Sequence, residues 1–406
     1  MAKKIAAGSV FYNSEDILRF AMWNLVAQGV TNFYFIIHNE VTDEARAILK
    51  EFEGFATIRL ASKPSAPFLQ GRMMTLLAEA ARIDGFDYFI PFDSDEFFHP
   101  VDDAKPFALE LETYFERTQA PALALKYVDH LQPTNVETFD ETKLETACYT
   151  PAPSGAVDGP VEDNNDISNF FLHHKQKMVV NLGVLPEFGR YAIVEGSHKI
   201  EIDGLYPHLE ISDSVRIAHV PYRSRAKLFS RKQNAARRAA AGWGQLTAGR
   251  LQIISKADEQ ELDNQWRRVS WQQTPQGVSL VIDNPRLILQ ESVQMNNAKT
   301  RIDAAMAATP AQPVESAEQR AAADQALVGR LFYLAVDLSL GFPRTDFPER
   351  QIMQQIIANL GHERDNLAAL LRKHAPQVDI SLATKLTLAQ KVRSKAKQAA
   401  RKVLGR

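Results

Sequence analysis

Asp93, Asp95 and Glu96 stand at the end of an apolar run in YFIPFDSDEFF, residues 88–98. A buried strand that ends in two carboxylates one residue apart presents both at a sheet edge, where oxygen ligands suit a hard divalent cation. Glu96, directly behind the pair, is a candidate general base. Polar residues also follow three earlier apolar runs: Asn13 and Glu15, then His38, Asn39 and Asp43, then Lys63. In an open α/β sheet such strand ends converge on one ligand crevice. Asp43 is equally well placed to cap a helix, and Asn13 to sit in a turn.

The elements that must position these groups follow from hydrophobic spacing. Strands are expected at 5–12, 33–37, 56–60, 87–92 and 122–127, and helices at 17–28, 42–52, 71–83 and 103–118. Strands alternating with helices imply a mostly parallel sheet with helices on both faces. Pro91 removes a ladder donor just before the acidic pair and predicts an irregularity there. Residues 132–166 read as a long loop, and after Trp271 the pattern becomes helical. Residues 304–324, rich in Ala, Pro and Gln, resemble a linker.

Composition narrows the function. With 406 residues, 45% of them hydrophobic, the chain is long enough for a large core, and its net charge of −2 offers no global attraction to nucleic acid. The single cysteine, Cys148, excludes an intrachain disulfide and fits a cytoplasmic location. No window approaches the roughly 18 apolar residues of a membrane span. The last 22 residues, from Lys385, carry eight Lys or Arg and no acid, which suits peripheral contact with the anionic inner membrane face.

NSEDILRFAMWNLVAQGVTNFYFIIHNEVTD, followed by YFIPFDSDEFF, resembles the nucleotide-sugar half of bacterial family 2-like glycosyltransferases of the GT-A fold, in the branch with an Asp-x-Asp-Glu-Phe centre. The resemblance covers roughly residues 4–100, and 173–202 and 216–236 less tightly. It implies a GT-A-like Rossmann-type α/β fold for a catalytic domain over 1–300. Composition and apolar spacing add a C-terminal helical appendage: a linker-like segment over 301–325, a small helical region over 326–380 and a basic amphipathic tail over 381–406. The resemblance also implies an inverting transferase that moves a sugar from a nucleoside-diphosphate sugar, a UDP-sugar, to a hydroxyl acceptor such as a glycan or lipid-linked polysaccharide. Asn13, Glu15, Asn39, Asp43 and Arg72 would line the nucleotide pocket. Asp93 and Asp95, with His219 or His198, would hold Mn²⁺ or Mg²⁺. Lys177, Arg223, Ser224 and Lys227 would offset the diphosphate. Since the acceptor enters beside 132–166, Glu162 and Asp163 join Glu96 as candidate bases, with Asp166 behind them. The family's Asn-Glu pair is split here as Asn13-Ser14-Glu15, which leaves its role open between Glu15 and Asp16.

Two other classes fit parts of the pattern. A haloacid-dehalogenase-type phosphatase also presents Asp-x-Asp after a hydrophobic strand, with Asp93 as nucleophile. A non-catalytic sugar-nucleotide-binding or interaction protein would keep the fold without the chemistry.

Overall fold

The computed structural model describes residues 3–11, 14–38, 41–63, 70–102, 105, 107–140, 143, 149–153, 176–240, 254–283, 287–311 and 313–340, with 358, 362, 365 and 366. The first third alternates strand and helix: β1 (Ile5–Phe11), α1 (Glu15–Ala27), β2 (Asn32–His38), α2 (Asp43–Phe52), β3 (Thr57–Lys63), α3 (Gln70–Ile83) and β4 (Tyr88–Pro91). Next come β5 (Glu96–Pro100), α4 (Phe107–Thr118), β6 (Ala122–Asp129), β7 (Gln132–Pro133) and β8 (Tyr149–Pro153). Then follow β9 (Gln176–Asn181), β10 (Tyr191–Ile193), β11 (Ile200–Ile202), β12 (Ile211–His219) and α5 (Arg225–Ala240). The last described elements are α6 (Glu259–Arg268), β13 (Ser270–Thr274), β14 (Gly277–Leu280), β15 (Leu287–Glu291), α7 (Val293–Ala308) and α8 (Ala317–Leu340).

Eight strands form one sheet in the order β3-β2-β1-β4-β9-β6-β12-β5. Neighbours β3, β2, β1 and β4 are parallel, as are β6 and β12; β9 and β5 run against their partners. The fold is therefore the expected α/β arrangement, a mostly parallel sheet covered by helices on both faces. One face packs Ile17, Trp23, Leu111 and Ile302, from α1, α4 and α7. The other packs Met73, Leu77, Leu327 and Leu331, from α3 and α8. Gly8 lets the sheet close: a Cβ there would lie 2.3 Å from the Phe89 ring.

Pro91 is the last residue of β4. Pairing of β4 with β9 involves Tyr88 and Phe89 alone, so the missing N–H falls beyond that ladder. The chain then turns over Asp93–Asp95 and re-enters the sheet as β5, an edge strand absent from the sequence expectation.

Other expectations need correction. The stretch after Trp271 is strand before it is helix: β13 and β14 form a hairpin turned at Gly277, φ +120°, and β15 pairs with β8 before α7 and α8 follow. The 132–166 stretch contains β7 and β8. Residues 304–324 are not a free linker. α7 runs through their start and α8 opens at their end, and ion pairs Arg59–Glu315 at 2.9 Å and Arg320–Glu53 strap them to β3 and to the end of α2. The tail 381–406 lies outside the described residues. Among those residues no helix is long and apolar enough to cross a membrane.

Candidate active site

The turn after β4 delivers the acidic pair, and three neighbouring strands build the floor beneath it. Lys177 of β9 is fully buried. Its Nζ donates to Asp93 Oδ2 at 2.7 Å and to Glu96 Oε1 at 2.9 Å. Gln70 Nε2 donates to Asp93 Oδ1 at 2.5 Å, and the Asp93 N–H donates to Glu96 Oε2 at 3.0 Å. The Tyr127 hydroxyl donates to Glu96 Oε1. Burial alone would raise the Asp93 pKa, yet the Lys177 ammonium holds it below the ordinary Asp range. Burial pushes Glu96 up to about 7 against the pull of Lys177. Lys177 is held above its ordinary value by the two carboxylates, which outweigh its desolvation.

Asp95 faces the other wall. Arg223 Nη1 lies 3.5 Å and Arg231 Nη2 3.4 Å from its Oδ2, and His219 Nε2 lies 4.0 Å from its Oδ1. Arg223 is buried and grips Asp16 through Nε at 2.9 Å and Nη2 at 3.1 Å, while Lys227 Nζ reaches Asp16 at 3.2 Å. These cations depress the Asp16 pKa although its burial opposes them. Desolvation, with Arg223 close by, lowers that of Lys227. Ser224 caps α5, accepting from the Lys227 N–H at 3.2 Å. Four cations, Lys177, Arg223, Lys227 and Arg231, thus meet four acids, Asp16, Asp93, Asp95 and Glu96, where β4, β9, α1 and α5 converge.

The structure sorts the sequence candidates. Between Glu15 and Asp16, Asp16 meets the basic wall; Glu15 accepts from Thr42 Oγ1 at 2.8 Å and braces the next loop. Thr42, not Asp43, caps α2 by accepting from the Ala45 N–H at 3.1 Å, and Asp43 is exposed. Arg72 is half-buried in the first turn of α3. Lys177 has no exposed surface to offer a diphosphate, because an antiparallel strand between β4 and β6 aims it inward. Glu96 is likewise buried beneath the pair, its oxygens taken by Lys177, Tyr127 and the Asp93 N–H, so it meets no acceptor hydroxyl. His198 turns its Nδ1 to the Gln176 carbonyl at 2.5 Å and stands edge-on to Tyr127. Asn13, Asn39, Glu162, Asp163 and Asp166 lie outside the described residues.

Sequence reasoning passed over Gln70, Tyr127 and Asp129. The signal for Asp129 was present: ending the strand at 127 instead of 129 cut off a carboxylate at a strand end, the very position that drew attention to Asp93 and Asp95.

Among the described residues no group of three or more His, Cys, Asp or Glu side chains is arranged to hold a metal ion. Asp95 and His219 nonetheless fit a divalent cation as two protein ligands. His219 Nδ1 is 2.7 Å from Asp129 Oδ1, the arrangement in which a carboxylate orients a ligating imidazole. A Mg²⁺-type ion needs only one or two carboxylates from the protein when phosphate and water complete its shell.

No family model and no curated protein sequence matches the chain. Among solved structures it is similar to S. aureus TarS 1–349, at 10% identity over 91% of this chain and 91% of that one, with a TM-score of 0.27. It is also similar to apo UDP-glucose pyrophosphorylase, at 11% identity over 76% and 98%, with a TM-score of 0.22. Values this low carry no argument about function.

Proposed function

We propose that the chain is a glycosyltransferase that moves a sugar from a nucleoside-diphosphate sugar, with uridine the expected base, to a hydroxyl of a glycan or lipid-linked acceptor. The observation that carries this reading is the contact of Asp95 with Arg223 and Arg231 at the strand ends, with Asp93 beside it and Lys227 held next to Arg223 by Asp16. A nucleoside diphosphate needs both walls: carboxylates to share a cation with it, and positive charge where negative charge grows as it leaves. Asp95 and His219, with Asp93 beside them, would hold Mn²⁺ or Mg²⁺, which supplies charge neutralisation on the diphosphate when bound.

In this reading Arg231, partly exposed beside Asp95, and Lys227 attract the diphosphate oxygens, and the N-terminus of α5 adds its dipole. Asp16 holds Arg223 and Lys227 in place. The acceptor oxygen forms a bond to the anomeric carbon as the bond to the phosphate oxygen breaks. The acceptor proton passes to a carboxylate, for which Glu162 and Asp163 are the candidates, and the diphosphate leaves with the bonding electrons. One such displacement inverts the anomeric centre. The basic segment 381–406 would hold the enzyme near lipid-linked acceptors; co-sedimentation with anionic liposomes, with and without that segment, tests this, and equal pelleting rejects it.

Calorimetry against a panel of nucleoside diphosphates, with and without Mn²⁺, tests the main reading. Metal-dependent binding that disappears in Asp95→Ala supports it, and absence of binding to every nucleotide sinks it. Phosphate release from a simple phosphomonoester, abolished in Asp93→Asn, would instead favour the phosphatase class.

A further inference from the structure

Three adjacent strands place Glu96, His219 and Asp129 in one row. His219 of β12 is in register with Glu96 of β5 on one side and Asp129 of β6 on the other. A one-residue slip of either strand would turn one of these side chains to the opposite face. Tyr127 stands two residues before Asp129 and therefore projects from the same face of β6. Its ring stacks on the His219 imidazole, with centroids 4.8 Å apart and planes at 13°. The hydroxyl of that ring is tied to Glu96, so the stacking partner is itself anchored.

The imidazole is thus restrained in plane by one residue and in rotation by the other. Asp129 Oδ1, 2.7 Å from Nδ1, can only accept as a carboxylate, so Nδ1 carries the proton and, in the neutral ring, Nε2 keeps its lone pair. That nitrogen lies 4.0 Å from Asp95 Oδ1, a spacing that leaves room for an ion touching both. We infer that Asp129 and Tyr127 are positioning residues that hold His219 as its Nδ1–H tautomer, with Nε2 presented beside Asp95 as a ligand for a divalent cation. The cation part rests on the metal-dependent reading proposed above; the tautomer part does not.

The test uses the full chain with ¹⁵N-labelled histidine, at mildly alkaline pH where imidazole is neutral. Long-range ¹H–¹⁵N correlation is expected to report His219 as Nδ1–H. Asp129→Ala should shift it towards Nε2–H, and Asp129→Asn, whose amide oxygen still accepts, should restore it. Mn²⁺ affinity, read by electron paramagnetic resonance without nucleotide, should fall about 10- to 100-fold in Asp129→Ala and much less in Asp129→Asn. An Nε2–H tautomer in the native chain overturns the inference without any variant, as does an unchanged tautomer in folded Asp129→Ala. Failure of the native chain to bind Mn²⁺ overturns the metal reading and with it the ligand role of His219, while the tautomer still decides what Asp129 does.

Discussion

A lysine without exposed surface is tolerated when anions surround it, and Lys177 has Asp93 and Glu96 within 2.9 Å. Removing it leaves the buried Glu96 and the partly exposed Asp93 without their cation. Lys177→Met should therefore destabilise the fold by about 3–5 kcal/mol, measured by urea unfolding, whatever it does to activity. A loss below about 1 kcal/mol would show that water replaces the ammonium. Arg231 is the contrasting case. It is partly exposed, lies over the Tyr222 ring at 5.3 Å and touches Asp95 only at 3.4 Å. Arg231→Ala should leave the melting temperature within a few degrees of native and weaken diphosphate binding about 10-fold, the worth of one charge-assisted hydrogen bond. Equal nucleotide affinity in the two proteins would remove Arg231 from the donor site. At this scale the acidic pair was legible in the sequence because carboxylates after an apolar run have few other uses. The inward aim of Lys177 was not, since a lysine on a strand has the same letter on either face.

At the scale of elements, α5 depends on its cap. Ser224→Ala should cost about 1 kcal/mol by loss of the bond from the Lys227 N–H, and should loosen the basic wall that begins there. The measurement is thermal unfolding paired with donor KM; an unchanged melting temperature would mean that the cap is replaceable. α8 shows a different dependence. Asp324 accepts from the Leu60 N–H of edge strand β3 at 2.9 Å, and burial raises its pKa to about 6. A folded pKa above the ordinary value near 4 means that its contribution to stability is complete below about pH 4 and is lost as pH rises through about 6. Asp324→Asn keeps the acceptor without the charge. At neutral pH the variant should be more stable than native by up to about 3 kcal/mol, and its stability should vary less between pH 4 and 6. Parallel stability curves for the two proteins would reject this account. The alternating elements of the first third were legible because their apolar periods are long and end in clear stops, such as Gly29 at φ +85° after α1. Short strands such as β5, β7 and β13 were not, because two to five residues hold too few periods to separate strand from turn.

For the whole molecule, α8 closes one face of the sheet. Leu327, Val328, Leu331, Leu334 and Ala335 are all buried there, and Arg330 pairs with Asp84 at 2.5 Å. A chain ending before residue 317 should expose that apolar face together with the edge of β3, and should aggregate, as seen by light scattering and loss of soluble yield. A soluble, monomeric truncation would show that the helix is dispensable. The sequence by itself determined the α/β class and the strand that leads into Asp93 and Asp95, because each depends on residues close together along the chain. Tertiary structure alone decided that Asp16 meets Arg223 from 207 positions away, that Lys177 points inward, and that Glu96, His219 and Asp129 stand in one row. Those facts depend on which strands lie side by side and in what register, and hydrophobic spacing within each strand does not encode its neighbour. Asp93 and Asp95 joined a network of charges only when α1, β9 and α5 brought Asp16, Lys177, Arg223 and Arg231 to the same strand ends.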